Sequence, residues 1–81
     1  MAAGIIELDI HGMNCYQAKI RIDSVLRRPA AGTYRIRVIH GFNGGTALRD
    51  FVRSDYLNHP KVIRLETRLG NGITDLVLKE L

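Results

Sequence analysis

The 81-residue sequence contains one cysteine, no tryptophan, two prolines and no long apolar run. With Cys15 alone, an intramolecular disulfide is excluded, and the lack of a secretory pattern favours a reducing cytoplasm. The opening Met1-Ala2-Ala3-Gly4 carries no basic n-region, and nothing approaches the ~18 apolar residues of a membrane span. No membrane partner is therefore expected. Three histidines and one cysteine show no paired spacing of the structural zinc type. Neither a G-x-x-x-x-G-K-[ST] nor a G-x-G-x-x-G phosphate loop occurs. Internal repeats, low-complexity tracts and like-charge blocks are also missing, so no linker divides the chain. The expected organisation is a single domain over residues 1–81 with one modest core.

What is present describes a globular, basic chain. Apolar residues make up 46% and charged residues 25%, with 12 Lys plus Arg against 8 Asp plus Glu, a formal net charge of +4. That surplus allows an acidic partner without identifying one.

Ile5-Ile6-Glu7-Leu8-Asp9-Ile10-His11 alternates, with Ile6, Leu8 and Ile10 on one face and Glu7, Asp9 and His11 on the other. Period-2 alternation of this kind predicts a strand with one buried and one wet face. Gly12 breaks it, and Asn14 with Gln17 three residues later has the form of a capping box. Ala18, Ile22, Val25 and Leu26 then recur at helical spacing, and Pro29 to Gly32 close the helix behind Arg27-Arg28. A second strand, Tyr34 to Ile39, puts Tyr34, Ile36 and Val38 on one face and Arg35 and Arg37 on the other. After a turn-rich stretch, Thr46 is placed to cap a second helix carrying Leu48, Phe51, Val52 and Tyr56, which ends near Asn58, His59 and Pro60. Two further strands, Val62–Arg68 and Ile73–Leu81, flank an Asn-Gly hairpin signal.

The order is β-α-β-α-β-β, with parallel crossovers expected wherever a helix joins two strands. Glu7, Asp9, His11, Arg35, Arg37, Arg64, Glu66, Arg68, Asp75 and Lys79 are expected on one open sheet face. Polar residues at those positions exclude a sheet covered on both sides. The fold class is therefore an α/β two-layer sandwich: a mixed four-stranded sheet with two helices on one face.

Several residues could carry chemistry, and each has a plainer reading. Asp9 and His11 share a strand face with Cα atoms ~6.6 Å apart, close enough to share a proton, a water or a metal ion. On an exposed strand end the same pair could be merely solvated. His11 and His40 both fall at carboxyl ends of strands, where α/β sheets gather ligands. The glycines from Gly41 to Gly45 lead into a helix N-terminus, a setting for phosphate or simply for a turn. Arg49 and Arg53 add charge on one side of that helix. Arg35, Arg37, Arg64 and Arg68 could instead be cross-strand partners of Glu7, Glu66 and Asp75. His59 reads as a helix-end residue and Cys15 as a small packing residue.

Two blocks taken together change the reading. Leu8-Asp9-Ile10-His11-Gly12-Met13 resembles the L-D-x-H-G-[hydrophobic] signature of the Smr (small MutS-related) domain. Arg35 to Arg49, in which a strand runs into His40-Gly41, a glycine-bearing loop and Ala47-Leu48-Arg49, looks like that family's second motif. The spacing of the blocks and the closing Val-Leu-Lys-Glu-Leu extend the resemblance over almost the whole chain. The common family loop reads His-Gly-x-Gly-x-Gly before Ala-Leu. Here it is one residue longer, with Asn43 near an expected glycine and Gly44 and Gly45 left to cradle phosphate.

The resemblance implies a sandwich similar to the C-terminal domain of translation initiation factor three. It also implies nucleic-acid binding and endonuclease activity on DNA or RNA. Asp9 and His11 match the positions tied to cleavage, and His40 and Gly41 match the second motif's His-Gly. On that basis Asp9 would position or deprotonate a water or 2′-hydroxyl, directly or through a divalent ion such as Mg. His11 or His40 would protonate the leaving oxygen or stabilise charge. Arg35, Arg37, Arg49 and Arg53 would hold phosphates. The alternative is a non-catalytic module that docks on RNA, a ribosome or a protein through the same open sheet face. A third reading is protein association through an exposed edge of the last strand at Leu76-Val77-Leu78.

Overall fold

The structure, a computed structural model, describes residues 4–41, 46–67 and 72–80. Its elements follow the expected order: β1 (Ile5–Asp9), α1 (Cys15–Arg27), β2 (Arg35–Ile39), α2 (Ala47–Tyr56), β3 (Arg64–Thr67) and β4 (Ile73–Val77). The strands form one mixed sheet in the order β1-β2-β4-β3. β1 runs parallel to β2, whereas β4 is antiparallel to both its neighbours, β2 and β3. Consequently β2 and β3 point the same way across the second helix without touching, because β4 lies between them. Among the described residues no helix is long and apolar enough to cross a membrane.

The alternation read from the sequence sorts the two faces. Ile36 pairs with Ile6 and Leu76, and Val38 with Leu8 and Thr74, which lays one apolar row after another under the helices. Ala18, Ile22 and Leu26 of α1 and Val52 and Tyr56 of α2 close over Leu8, Ile10, Ile36, Val38 and Leu76 in a single core. Each large aliphatic side chain fully buried there contributes about 1.5–3 kcal/mol. Tyr56 is the one core residue with a polar tip, and its hydroxyl donates to Asp23 at 2.6 Å, which ties α2 to α1. Burial and the neighbouring Asp23 carboxylate push the Tyr56 phenol far above its ordinary pKa.

α1 begins as its capping box predicts. The Asn14 side chain accepts from the Gln17 backbone at 2.8 Å, and the Gln17 side chain accepts from the Asn14 backbone at 3.1 Å. α2 is capped differently. Thr46 stands at its N-cap, yet the side chain makes no capping hydrogen bond. Its hydroxyl bonds the Asp50 carboxylate instead and, with Arg49, holds that carboxyl below its ordinary range.

Two expectations are corrected, and one falls outside the described residues. The last two strands are shorter than the predicted Val62–Arg68 and Ile73–Leu81: β4 leaves the ladder after Val77, where the Leu78 and Lys79 amides both turn onto the Tyr34 carbonyl. The residue placed on the open face at Arg68, and most of the Asn-Gly hairpin, lie outside the described residues. β4 is also no edge. It is hydrogen-bonded on both sides, with Leu76 and Val77 buried, so the protein-docking edge foreseen at Leu76-Val77-Leu78 does not exist.

Candidate active site

The site grows from the carboxyl end of β1. Ile10 to Met13 make a tight turn, closed by Met13 N–H donating to the Ile10 carbonyl at 3.0 Å. Gly12 takes φ of +82° in this turn, a left-handed conformation that a side chain would strain. The turn leaves His11 at the corner between β1 and α1. Asp9 reaches forward onto it: Oδ1 accepts from the His11 backbone N–H at 3.1 Å and from the ring Nδ1 at 2.5 Å. Those His11 donors hold the Asp9 carboxyl below its ordinary range. The imidazole is thereby oriented with Nε2 left for another partner, and its side chain is 70% exposed.

The second motif arrives from the neighbouring strand. Gly41, at φ +72°, packs beside His11, where a Cβ would lie in ordinary contact with the His11 Cβ at 3.5 Å. His11, Gly12, Met13, Asn14, Cys15, Ile39, His40, Gly41, Ala47 and Leu48 together line a cleft of about 750 Å³. The carboxyl ends of β1 and β2 thus meet the N-termini of both helices in one cavity.

Within the cleft the two histidines differ. His40 is buried, with Nδ1 at 3.0 Å from the Gly41 carbonyl and Nε2 at 2.9 Å from the Thr74 hydroxyl. A carbonyl can only accept, so Nδ1 carries the proton and Nε2 accepts from Thr74. Burial lowers the His40 pKa, and the charges of Arg53 and Arg49 lower it further. His40 is thus a neutral ring with both nitrogens occupied, whereas His11 has one nitrogen open to solvent. Thr74, which fixes His40, had no signal in the sequence, since it is a single threonine in a strand remote from either motif.

The arginines also separate. Arg35 Nη1 donates to both Glu66 and Asp75 at 2.7 Å, and Arg37 Nε donates to Asp75 at 3.3 Å, with Glu7 at 3.9 Å from its Nη1. Arg64 pairs with Glu66 and Glu80. Asp75, fully buried, is the centre of this network on the side of the sheet away from the helices. Arg35 also lies four residues back along β2 from Ile39, about 13 Å from the cleft. On α2, Arg49 leans on Asp50 at 3.2 Å. Arg53 buries Nε and Nη2 with no hydrogen-bond partner among the described residues. Gly44 and Gly45 lie outside the described residues.

Cys15, expected only to pack, lines the cleft with Sγ 3.9 Å from the Ala47 carbonyl, so it packs at the wall of the site. His59 is a helix-end residue as read, accepting from the Lys61 amide at 3.1 Å.

The described residues hold no preassembled metal centre. Among the described residues, no three His, Cys, Asp or Glu side chains come together to hold an ion. Asp9 is turned onto the cleft-lining His11. Mg²⁺ is commonly held by one or two carboxylates together with water and substrate phosphates, and Asp9 Oδ1 is already taken up by His11.

The comparisons with known proteins agree with this layout. A search of curated proteins gives no match. Among solved structures, the Smr domain of Thermus thermophilus MutS2 is similar, with a TM-score of 0.81 and 25% identity over 93% of this chain and 99% of that one. The Smr domain family model matches residues 8–77, from the Leu8-Asp9-Ile10-His11 block to the end of β4, and the chain therefore belongs to the Smr domain family.

Proposed function

We propose that this protein is a metal-independent endoribonuclease in which His11 is the general base and Asp9 its orienting partner. The observation that carries this reading is the 2.5 Å contact between Asp9 Oδ1 and His11 Nδ1 on the rim of the cleft. A carboxylate on one ring nitrogen fixes the tautomer and stabilises the imidazolium formed when the other nitrogen takes a proton. RNA carries its own nucleophile, so a base alone is enough to begin the reaction. The 2′-hydroxyl gives its proton to His11 Nε2, O2′ bonds to phosphorus, and the P–O5′ bond breaks. The 5′-oxygen takes a proton from water and His11 returns its own to the hydroxide so formed, leaving a 2′,3′-cyclic phosphate and a 5′-hydroxyl end. DNA lacks that hydroxyl and would need an activated water.

In this reading His40 is a structural post: it holds the Gly41 carbonyl and Thr74 and so keeps the second motif against His11. Arg49 and Arg53 carry positive charge on α2, whose first turn lines the cleft through Ala47 and Leu48. Arg35 and Arg37 are assigned to the sheet network rather than to phosphate, because Asp75 and Glu66 already occupy them. That removes the main support for a docking module built on the open sheet face.

The test is cleavage of matched RNA and DNA oligonucleotides with and without EDTA. Cleavage of RNA alone, unaffected by EDTA and yielding cyclic phosphate ends, is expected. Equal cleavage of DNA, or activity lost with EDTA, would show the chemistry to be wrong.

A further inference from the structure

The surplus positive charge of this chain is not where the nucleic-acid reading of the sheet would place it. On the sheet face away from the helices, Arg35, Arg37 and Arg64 stand among Glu7, Asp9, Glu66 and Asp75, and each of those arginines is paired. α1 and its C-cap are different. Within α1 the only acid beside Lys19, Arg21 and Arg27 is Asp23, which is itself engaged by Tyr56 and Lys19, and Lys19 also reaches Asp55 on α2. Arg21, Arg27 and Arg28 are exposed and make no ion pair among the described residues.

The same helix exposes apolar surface that the fold does not use. Ala18, Ile22 and Leu26 turn to the core. Tyr16 and Ile20, one turn apart, project outward at 74% and 54% exposed, the two most apolar side chains on an otherwise charged face. A shallow groove lined by Met13, Gln17, Ile20 and Arg21 runs along the helix. Met13 also lines the His11 cleft, so the groove and the cleft meet at that side chain.

We propose that the outer face of α1 is the binding path for a single-stranded RNA segment leading to the His11 cleft. Tyr16 stacks on a base, and Arg21, Arg27 and Arg28 hold successive phosphates. This rests on the nuclease reading above and adds the strandedness of its substrate and the surface that grips it. An exposed aromatic ring on the same helix as arginines without ion pairs among the described residues matches what a single strand offers, namely open base faces alternating with phosphates. A duplex hides those faces, and an acidic protein would offer the arginines charge but give Tyr16 no flat partner. The 13 residues of α1 extend ~20 Å, enough for several nucleotides.

The experiment measures binding of a fluorescein-labelled 12-nucleotide 2′-O-methyl oligoadenylate, which cannot be cut by 2′-hydroxyl attack, by anisotropy across a salt series. Tyr16→Ala is expected to weaken binding about fivefold or more, while Tyr16→Phe retains it. The triple variant Arg21→Gln/Arg27→Gln/Arg28→Gln is expected to flatten the slope of log K against log salt by about 0.7 per arginine. Arg35→Gln is expected to leave the slope unchanged. If the wild-type chain binds the strand but Tyr16→Ala and the triple variant bind it with unchanged affinity and slope, the α1 path is wrong, and its apolar stripe belongs to a protein partner. Tighter binding of a duplex of the same length would also overturn the path. Wild-type protein that binds no oligonucleotide overturns both this path and the nuclease reading.

Discussion

Asp9 and His11 form a closed two-residue unit: one carboxylate oxygen accepts both the backbone and the ring N–H of the same histidine, at 3.1 and 2.5 Å. β1 ends at Asp9, and His11 stands in the turn that follows it. The turn at Gly12 then bends His11 back over the carboxylate, which a continuing strand would not allow.

The unit predicts unequal effects on rate and binding. His11→Ala is expected to reduce RNA cleavage by about 10²–10⁴-fold, with Asp9→Asn close behind it, because each removes part of one general base. Oligonucleotide affinity in the two variants should stay within a few-fold of wild type. Single-turnover rates measured beside anisotropy would separate the two quantities. Wild-type cleavage by Asp9→Asn would end the orienting role of that carboxylate.

His40 predicts a pH dependence of stability rather than of chemistry. In the unfolded chain it titrates near the ordinary imidazole value of about 6.5, whereas burial in the folded chain lowers its pKa. As pH falls below the unfolded value, the unfolded state takes up the proton first, so stability declines. Above that value the folded state loses nothing. Urea denaturation should therefore show midpoints falling from about pH 7 downward, by at most ~1.4 kcal/mol per pH unit from this residue. His40→Gln should be less stable at neutral pH, yet flatter over that window.

Asp75 predicts a large stability cost far from any catalytic step. It is fully buried and receives Arg35 and Arg37, so Asp75→Ala leaves two partly buried cations without their main acceptor. A loss of about 3 kcal/mol is expected in chemical denaturation. Arg35→Gln should lose stability too, with the salt dependence of RNA binding unaltered.

Tyr56 and Asp23 predict a smaller effect. Tyr56→Phe keeps the ring in the core and removes only the 2.6 Å hydrogen bond to Asp23, which retains Lys19 at 3.3 Å. A cost of about 1–2 kcal/mol, visible as a shift in Tm, is expected.

Much of the fold was legible because local chemistry states it directly. The alternation at Ile6, Leu8 and Ile10, the Asn14–Gln17 capping box and the helical spacing of Ala18, Ile22 and Leu26 depend on neighbours within a turn or a pleat. Strand order did not follow from such signals. Leu76-Val77-Leu78 reads equally well as an edge or a centre, since apolar continuity shows burial without showing which strands do the burying.

The sequence by itself determined the element order, the faces of the first two strands, the family blocks and the adjacency of Asp9 to His11. It also determined how much positive charge the chain carries. Only the tertiary structure decided what that charge is free to do. β4 inserts Asp75 between β2 and β3 and so pairs Arg35 and Arg37, while Arg21 and Arg27 of α1 make no ion pair among the described residues. His11 and His40 likewise look interchangeable as letters, yet Thr74 and the Gly41 carbonyl occupy one ring and leave the other open. A charge or a ring nitrogen acts through whatever lies within ~3–4 Å of it, and long-range pairing of strands sets that neighbourhood.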